Sequence, residues 1–206
     1  MAGRIILVTG GARSGKSDFA ESLAASLDGQ KTYIATAEVT DEEMARRVSG
    51  HKKRRPADWI PAEVPRHLPD ALPQLFIKAD VILIDCLTVY VATLLYDYRE
   101  CLPRVIEDRA GEEMREILRL LRQSGKSVIL VTNEVGSGIV PPDAVSRLFR
   151  DVAGRVNRLA AGRAGGGDFF LSGGVTGVGA AEADEVYLSV SGLAVEIKSR
   201  AVMKGE

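Results

Sequence analysis

Eight residues near the start of the chain carry the first chemistry. Gly10, Gly11, Ala12, Arg13, Ser14, Gly15, Lys16 and Ser17 fit the spacing G-x-x-x-x-G-K-[ST]. Glycines let the backbone wrap around phosphate oxygens with N–H groups pointing inward, and a helix beginning at the end of the loop adds its favourable dipole. In such a cradle Lys16 reaches the β- and γ-phosphates of a nucleoside triphosphate, and the Ser17 hydroxyl ligates Mg²⁺. The plainer reading is a glycine turn that precedes a helix by chance. An apolar strand pattern before the loop, a helical pattern after it, and the presence of both Lys and Ser favour the cradle.

A second group belongs with it. Asp85 closes the apolar run Val81, Ile82, Leu83, Ile84, the place where a strand-end carboxylate holds Mg²⁺ through water beside a phosphate loop. Alone, a strand-end Asp is more often a helix cap or a surface charge. The guanine-reading Asn-Lys-x-Asp of a regulatory GTPase is not found after the relevant strand, where Thr132, Asn133, Glu134 and Val135 stand instead. Asp151 to Gly154 matches D-x-x-G but lies inside a helical pattern and reads as coincidence.

The third group is cationic. Arg46, Arg47, Lys52, Lys53, Arg54 and Arg55 put six cations into ten residues, with His51 among them. Three readings stand open: a solvated helix face balanced by Glu42 and Glu43, a nucleic-acid patch, and an anion-binding helix beside the phosphate loop. In the last setting the surrounding cations favour a neutral imidazole. Its nitrogen can attack an α-phosphate and form a phosphoramidate, splitting one nucleotidyl transfer into two displacements.

These groups need elements to hold them. Short β-branched runs at Arg4 to Thr9, Thr32 to Ala37, Val81 to Cys86 and Ser127 to Thr132 read as buried strands. Lys16 to Leu27, Asp41 to about Arg54, Arg104 to Gln123 and Asp143 to about Ala161 carry helical spacing. Thr40 with Glu43 predicts a capping box for the second helix, and Gly125 a stop for the third. Glu185 to Val190 and Leu193 to Lys198, joined through Ser191 and Gly192, suggest a hairpin. Strands alternating with helices imply an α/β fold, a mostly parallel sheet flanked by helices, with the hairpin as an antiparallel edge. Ligands of such sheets bind beyond the carboxyl ends of the strands.

Composition narrows the remainder. At 206 residues, one domain is expected over 1–206. Twenty-seven Lys and Arg against 28 Asp and Glu give a net charge of −1, which argues against a surface built to coat nucleic acid. Two cysteines, Cys86 and Cys101, and two histidines, His51 and His67, make neither a disulfide scaffold nor a histidine-rich metal centre. No apolar window is long enough for a membrane span, no export signal is visible, and the expected compartment is the cytoplasm. Gly162 to Ala181 is dense in glycine and precedes a strand pattern rather than a helix; it reads as a surface loop or insertion.

Taken together the motifs resemble a known family. Leu7 to Ser17, Tyr33 to Ala37, Asp41 to Arg47 with His51, Lys52, Arg55 and Pro56, and Ile84 to Thr88 are similar to the bifunctional adenosylcobinamide kinase / adenosylcobinamide-phosphate guanylyltransferases. Val131 to Gly136, Gly138 to Pro141, Phe149 to Asn157, Ala183 to Tyr187 and Val190 to Gly192 extend the likeness in order along the chain. The resemblance implies a P-loop domain of the RecA-like kind and assembly as a homotrimer. It also implies phosphorylation of adenosylcobinamide by ATP or GTP, then transfer of GMP from GTP to adenosylcobinamide phosphate through a guanylylated histidine, at position 51. Nucleotide contacts carry over onto Gly10 to Ser17, Ala35, Thr36, Ala37, Lys52, Lys53, Arg54, Arg55, Glu63 and Asp85. Either Glu63 or Asp85 then reads guanine, while Ser17 and Asp85 are the candidates for Mg²⁺. His67 gains no role and reads as structural. The chain departs from the family pattern between Asn157 and Ala183, where the glycine-rich stretch intervenes. Two rivals stay open: a P-loop small-molecule kinase with no covalent step, and a nucleotide-binding module without catalysis.

Overall fold

A computed structural model of the protein describes residues 3–39, 41–54, 56–162 and 183–201, and omits the side chains at 44, 47 and 51–54. Thr40, Arg55 and all but Gly162 of the glycine-rich stretch therefore lie outside the described residues.

Seven strands form one sheet in the order β3-β2-β4-β5-β1-β6-β7. They are β1 (Ile5–Gly10), β2 (Lys31–Ala35), β3 (Ile60–Glu63), β4 (Val81–Asp85), β5 (Ser127–Asn133), β6 (Glu185–Val190) and β7 (Leu193–Glu196). All neighbours run parallel except the β6–β7 hairpin. The mostly parallel sheet and the antiparallel edge are both as the sequence implies.

The central strands are apolar on both faces because both faces are covered. Ile6 and Val8 of β1 point toward α1 (Lys16–Ser26), joining Ala20, Ala24, Leu83, Ile129 and Val131. Ile5 and Leu7 point the other way, into the larger core with Ile34, Ile82, Ile84, Val128 and Leu130. That second face is covered by α3 (Leu68–Lys78), α4 (Leu87–Asp97), α5 (Pro103–Ser124) and α6 (Ala144–Ala161). Alternation along a strand thus assigns each residue to one of two helical layers.

Three elements go beyond the sequence expectation, each for a physical reason. β3 contains Pro61, which an edge strand tolerates because one side of its ladder is unpaired. α3 carries Pro69 in its first turn, where the missing N–H costs nothing, and Pro73 further in. α4 follows β4 across Cys86 alone, so strand and helix merge into one apolar window from Val81 to Leu95 that periodicity cannot divide. Elsewhere boundaries agree within a residue or two. α5 ends at Gly125 in the left-handed conformation, and Asp143 caps α6 by accepting the Ser146 N–H at 2.7 Å.

Candidate nucleotide-binding site

The site is assembled at the carboxyl ends of β1, β2, β4 and β5. β1 ends at Gly10, and the chain turns through residues 11–15 into α1, whose first turn has no side-chain cap. Its leading N–H groups are therefore left for a ligand. A Cβ on Gly10 would sit 2.4 Å from the Ser189 carbonyl oxygen and 2.6 Å from Ser14 Oγ, so only glycine fits there. Ser14 Oγ is buried and has no hydrogen-bond partner among the described residues. An orphaned hydroxyl inside the loop is what a cradle for a polar guest contains. Lys16, 9% exposed, curls back so that Nζ donates to the Gly11 carbonyl at 3.2 Å.

The loop is held from outside by the C-terminal hairpin. The Ser14 carbonyl accepts from the Gly192 N–H at 2.9 Å and from Ser189 Oγ at 2.8 Å. The hairpin reaches this point because Ser191 and Gly192 both take positive φ, the geometry of a two-residue turn whose twist matches its strands.

A cleft of about 760 Å³ opens in front of the loop, within the usual range for small-molecule sites. Ala12, Arg13, Ser14, Gly15, Lys16 and Ser17 form one wall; Tyr33, Ala35, Ala37, Asp85 and Cys86 form another. Asn133, Glu134 and Val135 line it from β5 and its following loop, and Val48 contributes from α2 (Glu42–Arg54).

Asp85 is oriented by Tyr33, whose hydroxyl donates to Oδ2 at 2.9 Å from a ring that is 2% exposed. Ala35 stands level with Asp85 on one side and with Glu63 on the other. Glu63 is exposed on the edge strand and is not part of the cleft wall; two strand spacings, roughly 10 Å, separate it from Asp85. Thr36 is fully buried, and its hydroxyl donates to the Cys86 carbonyl at 2.7 Å while accepting the Cys86 N–H at 2.8 Å. Its side chain joins the ends of β2 and β4, and so places Asp85. Burial, and then the neighbouring Asp85 charge, push the Cys86 thiol up to about 12. It stays protonated and is no nucleophile at neutral pH.

No cluster of three or more His, Cys, Asp or Glu side chains suited to a metal occurs among the described residues. The pair Ser17 and Asp85 on one cleft still suits Mg²⁺, which takes one or two protein oxygens and completes its shell with phosphates and water. His51, Lys52, Lys53 and Arg54 lie in the last turns of α2, their side chains outside the description. Position 51 falls three residues after the cleft-lining Val48 in the same helix. His67 precedes α3 and its carbonyl accepts the Asp70 N–H at 3.0 Å, a structural placement.

Several cleft residues go beyond the sequence reading: Tyr33, Val48, Asn133, Glu134 and Val135. Tyr33 opens a run that resembles the family, without a physical reason attached to the tyrosine itself. Asn133 and Glu134 lay within a run singled out for resemblance, without a physical reason attached.

A parallel sheet with this loop after β1 and a carboxylate at the end of β4 defines a P-loop nucleotide-binding protein. Which kind is settled by comparison with known proteins. Residues 6–176 match the family described as cobinamide kinase / cobinamide phosphate guanyltransferase, and the chain belongs to that family. The bifunctional adenosylcobalamin biosynthesis protein CobU of Salmonella typhimurium is 41% identical over 200 residues, covering 94% of this chain and 99% of its own. Its Escherichia coli counterpart is 38% identical over the same span. The bifunctional adenosylcobalamin biosynthesis protein CobP of Pseudomonas aeruginosa is 39% identical over 159 residues, 76% of this chain and 87% of its own. Among the described residues no helix is long and apolar enough to cross a membrane.

Proposed function

We propose that this protein phosphorylates adenosylcobinamide with ATP or GTP and then transfers GMP from GTP to adenosylcobinamide phosphate. The observation that carries the reading is one cleft that joins Lys16, Ser17 and the uncapped start of α1 to Asp85, in a chain of this family.

In the first stage the loop N–H groups and Lys16 hold the triphosphate, and the cobinamide hydroxyl attacks the γ-phosphorus in line while the nucleoside diphosphate leaves. Ser17 and Asp85 would hold Mg²⁺, which when bound would supply positive charge to offset that of the phosphates. In the second stage a neutral imidazole nitrogen of His51 attacks the α-phosphorus of GTP and pyrophosphate leaves. A phosphate oxygen of the cobinamide phosphate then displaces the imidazole, breaking the P–N bond and giving adenosylcobinamide-GDP. Lys52, Lys53, Arg54 and Arg55 offset phosphate charge during both displacements. Asp85 lies on the metal side, and Glu63, two strands away, accepts hydrogen bonds from the guanine N1 and N2 groups. By resemblance the assembly is a homotrimer.

The deciding experiment supplies GTP, Mg²⁺ and adenosylcobinamide and follows the corrinoid by mass. The expected products are first the phosphate and then the GDP ester. His51→Asn should stop at the phosphate and lose covalent labelling by α-³²P-GTP. Labelling that survives in His51→Asn removes the covalent role of His51, and a wild-type product that stops at the phosphate favours the simple kinase.

A further inference from the structure

Asn133 ends β5, level with Gly10 in the neighbouring strand β1, and the other neighbour of β5 is β4 with Asp85. It therefore stands between the cradle and the carboxylate, and it lines the cleft that both face. Its main chain is held on both sides. The Asn133 N–H donates to Thr88 Oγ1 at 2.6 Å, and its carbonyl accepts from Asn157 Nδ2 at 2.9 Å. Thr132 Oγ1 donates to Asn157 Oδ1 at 2.6 Å and lies 2.9 Å from Thr88 Oγ1. Because the Thr132 proton is directed to Asn157, the proton between the two hydroxyls must come from Thr88. The bonds then run in one direction, from the Asn133 N–H through Thr88 and Thr132 to Asn157, and return from the Asn157 amide to the Asn133 carbonyl.

Such a closed ring leaves none of its members lacking a partner. Thr88 is 5% exposed and Thr132 fully buried, so each bond is made in a medium where a missing partner is costly. Three elements are joined through it: the first turn of α4, the end of β5, and α6. What the ring leaves for a ligand is the Asn133 side-chain amide. Among the described residues its hydrogen-bond contact is a 4.0 Å approach of Nδ2 to Cys86 Sγ, a weak acceptor.

We propose that the Asn133 amide donates to the terminal phosphate of the bound nucleotide, and that Asn157 is its positioning residue, acting through the ring with Thr88 and Thr132. The proposal rests on the triphosphate site above and adds to it the group that distinguishes a nucleoside triphosphate from a diphosphate. A neutral donor suits the position, because it recognises the γ-phosphoryl oxygens without adding a cation beside Lys16.

Equilibrium binding of guanosine 5′-(α,β-methylene)triphosphate, whose α–β link His51 cannot cleave, and of GDP, each with Mg²⁺, tests this on the full chain. Asn133→Ala should lower the triphosphate-to-diphosphate affinity ratio roughly tenfold while leaving GDP affinity near wild type. Asn157→Asp keeps the acceptor for Thr132 but loses the donor to the Asn133 carbonyl, and should lower the ratio in the same direction. Thr88→Ser, which keeps the hydroxyl, should retain the wild-type ratio. An unchanged ratio in Asn133→Ala overturns the proposal. An equal fall for both nucleotides does so too, since that is the mark of a merely structural role. If Asn157→Asp does not fold, Asn133→Ala decides alone. A wild-type protein that binds neither nucleotide refutes the triphosphate site itself, an outcome distinct from a site that binds without discriminating.

Discussion

Cys86 and Cys101 show how far identical side chains diverge with placement. Cys86 is buried beside Asp85, with its thiol pushed up to about 12, whereas Cys101 is exposed. At pH 8 the Cys86 thiol is held in its protonated form, and it is the thiolate that reacts. Iodoacetamide applied to the native protein at pH 8 should modify Cys101 and spare Cys86 by peptide mass mapping, with both modified after denaturation. Equal native labelling would contradict the burial. The cradle itself was legible residue by residue, because its glycines, Lys16 and Ser17 are adjacent in the chain and each type has its own reason. Tyr33 was not: its hydrogen bond to Asp85 spans 52 positions, and nothing local marks a buried tyrosine as the partner of a carboxylate. The same holds for Thr88, Thr132 and Asn157. The runs that contain them were recognisable as resemblance, but that they close one ring shows only in the structure.

At the scale of elements, the hairpin was legible from Ser191 and Gly192 between two apolar runs, while its task was not. β6 lies against β1, and the turn leans on the phosphate loop through the Ser14 carbonyl. Gly192 has φ of +84°, and a Cβ there would meet no atom within 4 Å, so substitution costs backbone strain rather than crowding. Gly192→Ala should destabilise the protein by about 1–2 kcal/mol and weaken nucleotide binding severalfold, read by thermal melting and by titration. An unaltered melting temperature would show that the turn relaxes freely. The opposite margin of the sheet was harder to read. Pro61 in β3 and Pro73 in α3 are breakers by type, tolerated by an edge strand and by a helix whose Leu68 and Leu72 are packed into the core. Arg66, between these two elements, donates to Asp97 at the end of α4 and to Glu38 after β2. Those partners raise its pKa further above an already high value.

For the molecule as a whole, the sheet divides the core into two layers, and the larger one holds more of the buried apolar side chains. Ile84, fully buried between β4 and the helices of that layer, should cost about 2–5 kcal/mol as Ile84→Ala. For a chain of this size that is a fall in melting temperature of about 5–15 °C. Ile77 on α3, 75% exposed, is the control: Ile77→Ala should stay within about 0.5 kcal/mol. Comparable losses at the two positions would mean that the layer assignment is wrong. The fold class was open to inspection in the sequence because parallel strands covered on both faces must be apolar throughout, and few other architectures demand that.

The contact between the phosphate loop and the hairpin turn also bears on synthesis. The loop precedes the hairpin in the chain and so leaves the ribosome before it, yet the Ser14 carbonyl takes its hydrogen bonds from Ser189 and Gly192. β1 must likewise wait for β5 and β6 to cover its edges. A nascent chain carrying the complete motif, but not yet these later residues, has the letters of the cradle without its shape. The cradle therefore takes its shape only after residues 189–192 have been made, and long-range closure of this kind is slow.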